Sequence, residues 1–360
     1  MRAVALSFCL RMLVLLLAVV ATGSAGHAGD LPSRQPLPDS MPRPAEVHLV
    51  VRILDVLEVE ETSGEARLSV EIVQRWRNPT LVFDAVAAGR DRLDFAGGEA
   101  SARLATMWNP VMVIENQAGE PKVEMEALSI RSNGEVNLTR RLEGAFRFAK
   151  DLSAFPFDRQ HLRLSFVSQY YPADDVVFVL DHQDRLLSTI PQDINASDWS
   201  VKSLGFSTEQ FYGWSARPFA RLTAELDLDR KWPRYFLRIF VPFMAVLSVS
   251  LFILWSPGGL IGDKTGVTYS ALLALAALSF TFEASFPGSM SVTSPIAFMI
   301  SLGYFYLILA LLLDLLIESE SLPGRRAYPF LAKDLRIAIR SVLPILFALI
   351  CIGVILRSLA

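Results

Sequence analysis

The sequence predicts an exported β-sandwich domain followed by a bundle of four transmembrane helices, and three observations carry that reading. Hydrophobic residues make up 52% of the 360, a modest excess over the roughly 45–50% usual in soluble domains, and the excess sits in long apolar runs after residue 234. The part before those runs alternates apolar and polar residues with the period of a half-buried strand. The chain begins with a basic start, a short apolar core and small residues, the build of a secretory signal peptide. This split excludes a simple soluble enzyme and also a protein that is nearly all membrane. The balance of 34 basic and 37 acidic residues gives no reason to expect a nucleic-acid partner.

Residues 1–28 are assigned to the signal peptide. Arg2 and Arg11 flank the start of the apolar run Met12 to Ala21, which is followed by small residues, and Ala25 and Ala28 both end plausible cleavage sites. The run is shorter than the roughly 20 residues a spanning helix needs. Cleavage removes Cys9 and leaves Cys351 alone, so no intrachain disulfide is expected despite an oxidising compartment. Pro32, Pro36, Pro38, Pro42 and Pro44 then predict an extended, poorly ordered lead-in.

Residues 29–232 are assigned to the exported domain. Leu68, Val70, Ile72 and Trp76 alternate with Ser69, Glu71, Val73 and Arg75; Ala220, Leu222, Ala224, Leu226 and Leu228 alternate with Arg221, Thr223, Glu225 and Asp227. Leu162, Leu164 and Phe166 repeat the scheme. Turn clusters such as Thr62-Ser63-Gly64, Ala96-Gly97-Gly98 and Arg131-Ser132-Asn133-Gly134 punctuate these runs, and no helix-length amphipathic segment competes. Several short strands at this spacing predict a sandwich. Catalytic chemistry is not expected. His27, His48, His161 and His182 show no metal-ligand spacing, and there is no nucleophile elbow and no phosphate-binding glycine loop. No cofactor, metal or enzymatic activity is predicted.

Residues 233–360 are assigned to the membrane domain, with helices near 235–256, 263–284, 293–317 and 335–357. At about 1.5 Å per residue each is long enough to span with flanking help. Arg325, Arg326, Lys333 and Arg336 between the third and fourth spans mark a cytoplasmic loop, in line with the positive-inside tendency. Arg230, Lys231 and Arg234 fall on the other side, where an exported domain overrides them. The second span differs from the others. Gly266, Ser270, Leu273, Ala277 and Phe280 recur at helical spacing and define one stripe, with Asp263 before it and Glu283 near its far end. The pattern alone leaves two readings open. The helix packs by small residues inside a bundle, or it lines a pore with charged mouths and a dewetting constriction, which requires a symmetric ring of subunits.

Phe155-Pro156-Phe157-Asp158-Arg159-Gln160 resembles the signature loop of the pentameric ligand-gated ion channels, the Cys-loop receptor superfamily. Where animal members carry two cysteines this chain has Phe148 and Leu162, so it resembles the prokaryotic branch that lacks the disulfide. Trp76 in Gln74-Arg75-Trp76-Arg77-Asn78, the run from Trp108-Asn109-Pro110 to Asn116, Pro242, Trp255 and Pro287 fall at family-like places. Gly262-Asp263-Lys264 with Ser270, Leu272, Leu273 and Leu275 resembles the cation-selective pore helix, and the loop from about 318 to 333 is short, as in prokaryotic members.

The resemblance implies a homopentameric ring around a central pore in the inner (plasma) membrane, with the amino-terminal domain in the periplasm. It further implies a channel for monovalent cations opened by a small-molecule agonist, with an amine among the candidates. Carried over, the agonist positions are Glu115, Gln169, Tyr170, Phe211, Tyr212 and Trp214 on one subunit and Glu71 on the next; Gln169 departs from members that place an aromatic there. Asp263, Gly266, Ser270, Leu273, Ala277, Phe280 and Glu283 would line the pore. Phe155, Pro156, Phe157, Asp158, Arg230, Lys231 and Pro287 would form the gating interface. There the 155–160 loop and the turn near Glu58–Glu65 press on the linker around Glu283–Val292. Two rivals remain: a proton-gated channel of the same fold, in which His161 or carboxylates titrate, and a non-conducting periplasmic ligand sensor.

Overall fold

A computed structural model of the chain describes residues 35–213, 216–255, 264–318 and 330–359. The expected signal peptide, Asp263, Trp214 and most of the loop between the third and fourth spans lie outside the described residues. Ten strands form the exported domain: β1 (Ala45–Glu60), β2 (Glu65–Arg77), β3 (Arg92–Ala96), β4 (Met112–Ile114), β5 (Gln117–Arg131), β6 (Glu135–Arg147), β7 (Arg159–Ser168), β8 (Val176–Val179), β9 (Trp199–Tyr212) and β10 (Pro218–Arg230). They pair into a six-stranded sheet ordered β3-β5-β6-β2-β1-β8 and a four-stranded sheet ordered β4-β7-β10-β9.

The alternation in sequence becomes the two faces of each sheet. Leu68, Val70, Ile72 and Trp76 on β2 face inward, as do all five alternate residues from Ala220 to Leu228 on β10. These side chains, with Val47, Leu49 and Val51 of β1 and Phe166 of β7, make one continuous core between the sheets. Leu162 is buried in it and Phe148 packs against it, the two positions aligned with the cysteines of animal members. At the β5–β6 turn Gly134 has a φ of 81°, and a Cβ there would lie 2.6 Å from the Asn78 carbonyl oxygen, so glycine is required.

Two expectations are corrected. The proline-rich lead-in is not loose from residue 35 onward. Leu37 and Met41 are buried in the sandwich core, Gln35 Nε2 donates to the Ala105 carbonyl at 3.0 Å, and the Tyr171 hydroxyl donates to the Gln35 carbonyl. Prolines fix the backbone but leave the intervening apolar side chains free to pack. Short helices also interrupt the strands: α1 (Ala85–Ala88), α2 (Gly98–Ala105) and α3 (His182–Leu187). The Ala96-Gly97-Gly98 cluster marks the start of α2, which buries Ala100 and Leu104 against the core.

Four helices long and apolar enough to cross a membrane follow: α4 (Pro233–Trp255), α5 (Lys264–Ser285), α6 (Pro295–Glu318) and α7 (Leu331–Leu359). The first opens with a π-helical turn at Phe236–Phe240. At Gly303 of α6 a Cβ would meet side-chain atoms of Leu247 at 3.2 Å and Leu275 at 3.3 Å, a tight fit, so α6 approaches α4 and α5 closely. The bundle core joins Phe243, Leu247, Leu275, Ile300, Leu307 and Phe347 to two residues of the exported domain, Leu152 and Phe155.

Candidate functional site

The 155–160 loop and the entry to α4 meet over a buried cation. Asp158 and Arg230 are both almost fully buried. Arg230 Nε donates to Asp158 Oδ1 at 2.6 Å and Nη2 to Oδ2 at 3.1 Å, a two-point fork. Nη1 lies 2.8 Å from Glu61 Oε1 and donates to the Tyr235 hydroxyl at 2.9 Å. Trp199 lies under the guanidinium, 4.2 Å from the ring centre. Gln160 Nε2 donates to Asp158 Oδ2 at 2.7 Å, so the carboxylate is held from two sides. Burial works to lower the Arg230 guanidinium. The hydrogen bond and charge of Asp158, with Glu61 adding to them, outweigh it and hold the group above its ordinary value.

Beside this pair lies an aromatic contact between the two domains. Phe155 is fully buried, with its ring centre 4.6 Å from Phe286 and 5.7 Å from Tyr235. Its peptide bond to Pro156 is cis. Phe157 packs on Trp232, ring centres 5.5 Å apart. Pro287 follows Phe286, half-buried in the segment leaving α5. Of the two basic residues considered as partner for the acids, Arg230 takes the position; Lys231 donates its backbone N–H to the Asp198 carbonyl at 2.7 Å. Glu61 falls within the turn named from sequence, whereas Tyr235, Trp199 and Phe286 were not anticipated.

The stripe on α5 is a surface. Ser270, Leu273, Ala277 and Phe280 are exposed and Gly266 is half-exposed, while Thr268, Ala271, Leu275 and Phe282 on the opposite face are buried. Leu273 and Phe280 are each 76% exposed. Glu283 is exposed and accepts backbone N–H donors from Gly288 at 3.2 Å and Met290 at 3.3 Å, which closes the turn after α5. At the other end of the helix, Lys264 Nζ lies 2.6 Å from Asp314 Oδ2 of α6.

The positions carried over for agonist binding divide between the two sheets. Glu115 and Phe211 meet through a residue that the sequence reading did not single out. Arg221 reaches Glu115 Oε2 at 2.7 Å and Glu209 Oε1 at 2.8 Å, and its guanidinium lies 4.2 Å over the Phe211 ring. Tyr212 is 81% exposed at the end of β9. Gln169 is exposed just after β7, and Tyr170 packs against the core. Glu71 lies on the six-stranded sheet, buried between Arg52 at 2.8 Å and Arg141 at 2.9 Å. Register explains the row: Arg52, Glu71 and Arg141 are direct cross-strand partners on β1, β2 and β6.

Two histidines sit with carboxylates, a grouping that linear spacing does not reveal. His48 Nδ1 lies 2.8 Å from Asp184, and His161 Nδ1 lies 2.6 Å from Asp227. Arginines share both groups. Arg75 bonds Asp184, and Arg163 donates to Glu225 beside His161 at 3.1 Å.

The sandwich thus meets the helix ends through the Arg230–Tyr235 hydrogen bond and the Phe155–Phe286 contact. A family model described as the neurotransmitter-gated ion-channel ligand binding domain matches residues 33–232. The chain belongs to this family, and so to the Cys-loop superfamily of pentameric ligand-gated ion channels. It is similar to a proton-gated ion channel of Gloeobacter violaceus, 22% identical over 300 residues that cover 81% of this chain and 79% of the relative. It is also similar to an acetylcholine receptor subunit of Caenorhabditis elegans, alpha-type deg-3. There the identity is 23% over 303 residues, 79% of this chain and 50% of the relative.

Proposed function

We propose that the chain is one subunit of a homopentameric, cation-selective channel of the inner membrane, opened by a small molecule bound between neighbouring periplasmic domains. The observation that carries the reading is the two-faced character of α5. Its buried face packs on the bundle, and its exposed face runs from small and polar residues at the inner end to Leu273, Ala277 and Phe280. It is also the least apolar of the four spans. In a ring of subunits these side chains bound a narrow dry stretch, which blocks ions because they would have to lose hydration. Asp263 at the inner mouth attracts cations and repels anions.

Agonist opens the channel by its higher affinity for the open state. The Asp158–Arg230–Glu61 cluster and Phe155 supply the mechanical link, since they join the sheet that carries β10 to the outer ends of α4 and α5. The position of Arg221 bears on the ligand. An amine that uses the Phe211 face must displace the protein's own guanidinium, so that face offers a cationic ligand less than an open aromatic cage. A second reading, gating by protons, keeps the same architecture without an organic agonist.

The test avoids the unknown agonist. Cells expressing Leu273→Ser at the surface should pass a standing sodium current that disappears when sodium is replaced by an impermeant cation. Silence from well-expressed surface protein removes Leu273 as the gate and restores the non-conducting sensor. A pH step applied to the parent without organic ligand separates proton gating from agonist gating.

A further inference from the structure

Lys264 and Asp314 form a buried ion pair whose placement bears on ion selection. Their side chains are only 11% and 3% exposed. At 100° per residue, Lys264 falls on the same face of α5 as Thr268, Ala271, Leu275 and Phe282, all buried, and opposite the stripe of Ser270, Leu273, Ala277 and Phe280. The ammonium therefore points into the bundle, towards α6. Asp314 is the one charged residue of this helix before its last, Glu318, and a lone carboxylate among apolar side chains is costly. Well-packed apolar residues serve stability as well as a buried pair or better, so stability alone gives no reason for the pair.

Charge arithmetic supplies a reason. In sequence, Asp263 and Lys264 are adjacent and cancel; Asp314 leaves each subunit with one net negative charge at this end of the pore helix. The lysine lies across α5 from the stripe, about 10–12 Å with side chains. That is close to one Debye length, about 8–10 Å at ordinary ionic strength, and protein fills much of the gap, so water screens it weakly. We propose that Asp314 is a selectivity-determining residue: it neutralises Lys264 and anchors it away from the lumen, so that Asp263 alone sets the sign of the inner mouth. This rests on the reading of α5 as the lining of a cation pathway.

The experiment uses full-length channels carrying Leu273→Ser, so that no agonist is needed, with surface protein quantified and reversal potentials measured in a sodium chloride gradient. Adding Asp314→Asn should lower the cation-to-anion permeability ratio about tenfold and reduce unitary conductance. Adding Lys264→Gln together with Asp314→Asn should restore the parental ratio, because both charges are then absent. Should Asp314→Asn stay inside the cell, co-expression with parental subunits gives mixed channels, whose reversal potential should shift in proportion to the mutant share. An unchanged ratio in Asp314→Asn or mixed channels overturns the proposal. So does a double variant that keeps the shift, since packing rather than charge would then be responsible. If the Leu273→Ser parent passes no current, or passes chloride, the channel reading itself fails and takes the assignment with it. A cation-selective parent matched by Asp314→Asn sinks the assignment alone.

Discussion

At the scale of single residues, Arg230 has a partner for each arm of its guanidinium: Asp158 for two nitrogens, Glu61 and Tyr235 for the third, and the Trp199 face below. Such a cluster is intolerant of a missing partner, because the charge left behind is buried. Asp158→Asn should lower the unfolding free energy of the detergent-solubilised protein by about 3–5 kcal/mol, read from denaturant unfolding. Arg230→Lys should not match the parent, since an ammonium cannot make the planar two-point contact. Parental midpoints for both variants would mean that water, not the fork, satisfies these groups. Arg221 makes the same point about chemistry. A residue on the polar side of a strand joins Glu115, Glu209 and Phe211, so the aromatic surface already faces a cation.

At the scale of elements, the strands were legible because alternation is a local property: burial of one face requires period two, and the inward residues of β2 and β10 were readable one by one. The four membrane helices were legible because lipid tolerates only long apolar runs. What escaped was set by contacts distant in sequence. Asp158 and Arg230 are 72 positions apart, and Lys264 and Asp314 are 50 apart; register and helix packing bring them together, and no linear spacing encodes either. The eight-residue helix α2 escaped because its opening Gly97-Gly98 also reads as a turn, and only Ala100 and Leu104 mark its buried side.

The outer face of β7 and β10 carries a ladder of the same distant kind: Arg159–Asp229, His161–Asp227 and Arg163–Glu225. A hydrogen bond from Ser203, then one from His161, holds the Asp227 carboxyl below its ordinary value. A depressed carboxylate contributes stability that is present above the unfolded value, about 3.9, and lost as pH falls through the folded one. The thermal midpoint of the parent should therefore fall more steeply between about pH 5 and about pH 3 than that of Asp227→Asn. Parallel curves would show that the ladder adds nothing in acid.

At the scale of the whole molecule, a single subunit leaves Leu273 and Phe280 bare, and one helix cannot enclose a pathway. On the proposed reading the stripe faces the axis of a closed ring. Native mass spectrometry of the detergent-extracted protein should give the mass of a pentamer, and a monomer or dimer as the sole species would leave the stripe facing lipid. Assembly also decides whether Glu71, between its two arginines, comes to face the Arg221 group of a neighbour.

Phe155 belongs to the exported domain by sequence and to the membrane bundle by packing, in one cluster with Tyr235, Phe286 and the residues between the helices. The border between the two halves in the chain is therefore not their border in space. A chimaera joined near residue 232 would separate a plug from the socket shaped to fit it. An exchange of halves that keeps the fit should carry the 152–158 loop together with the helix ends it enters, so the unit to move is the joint and not the domain.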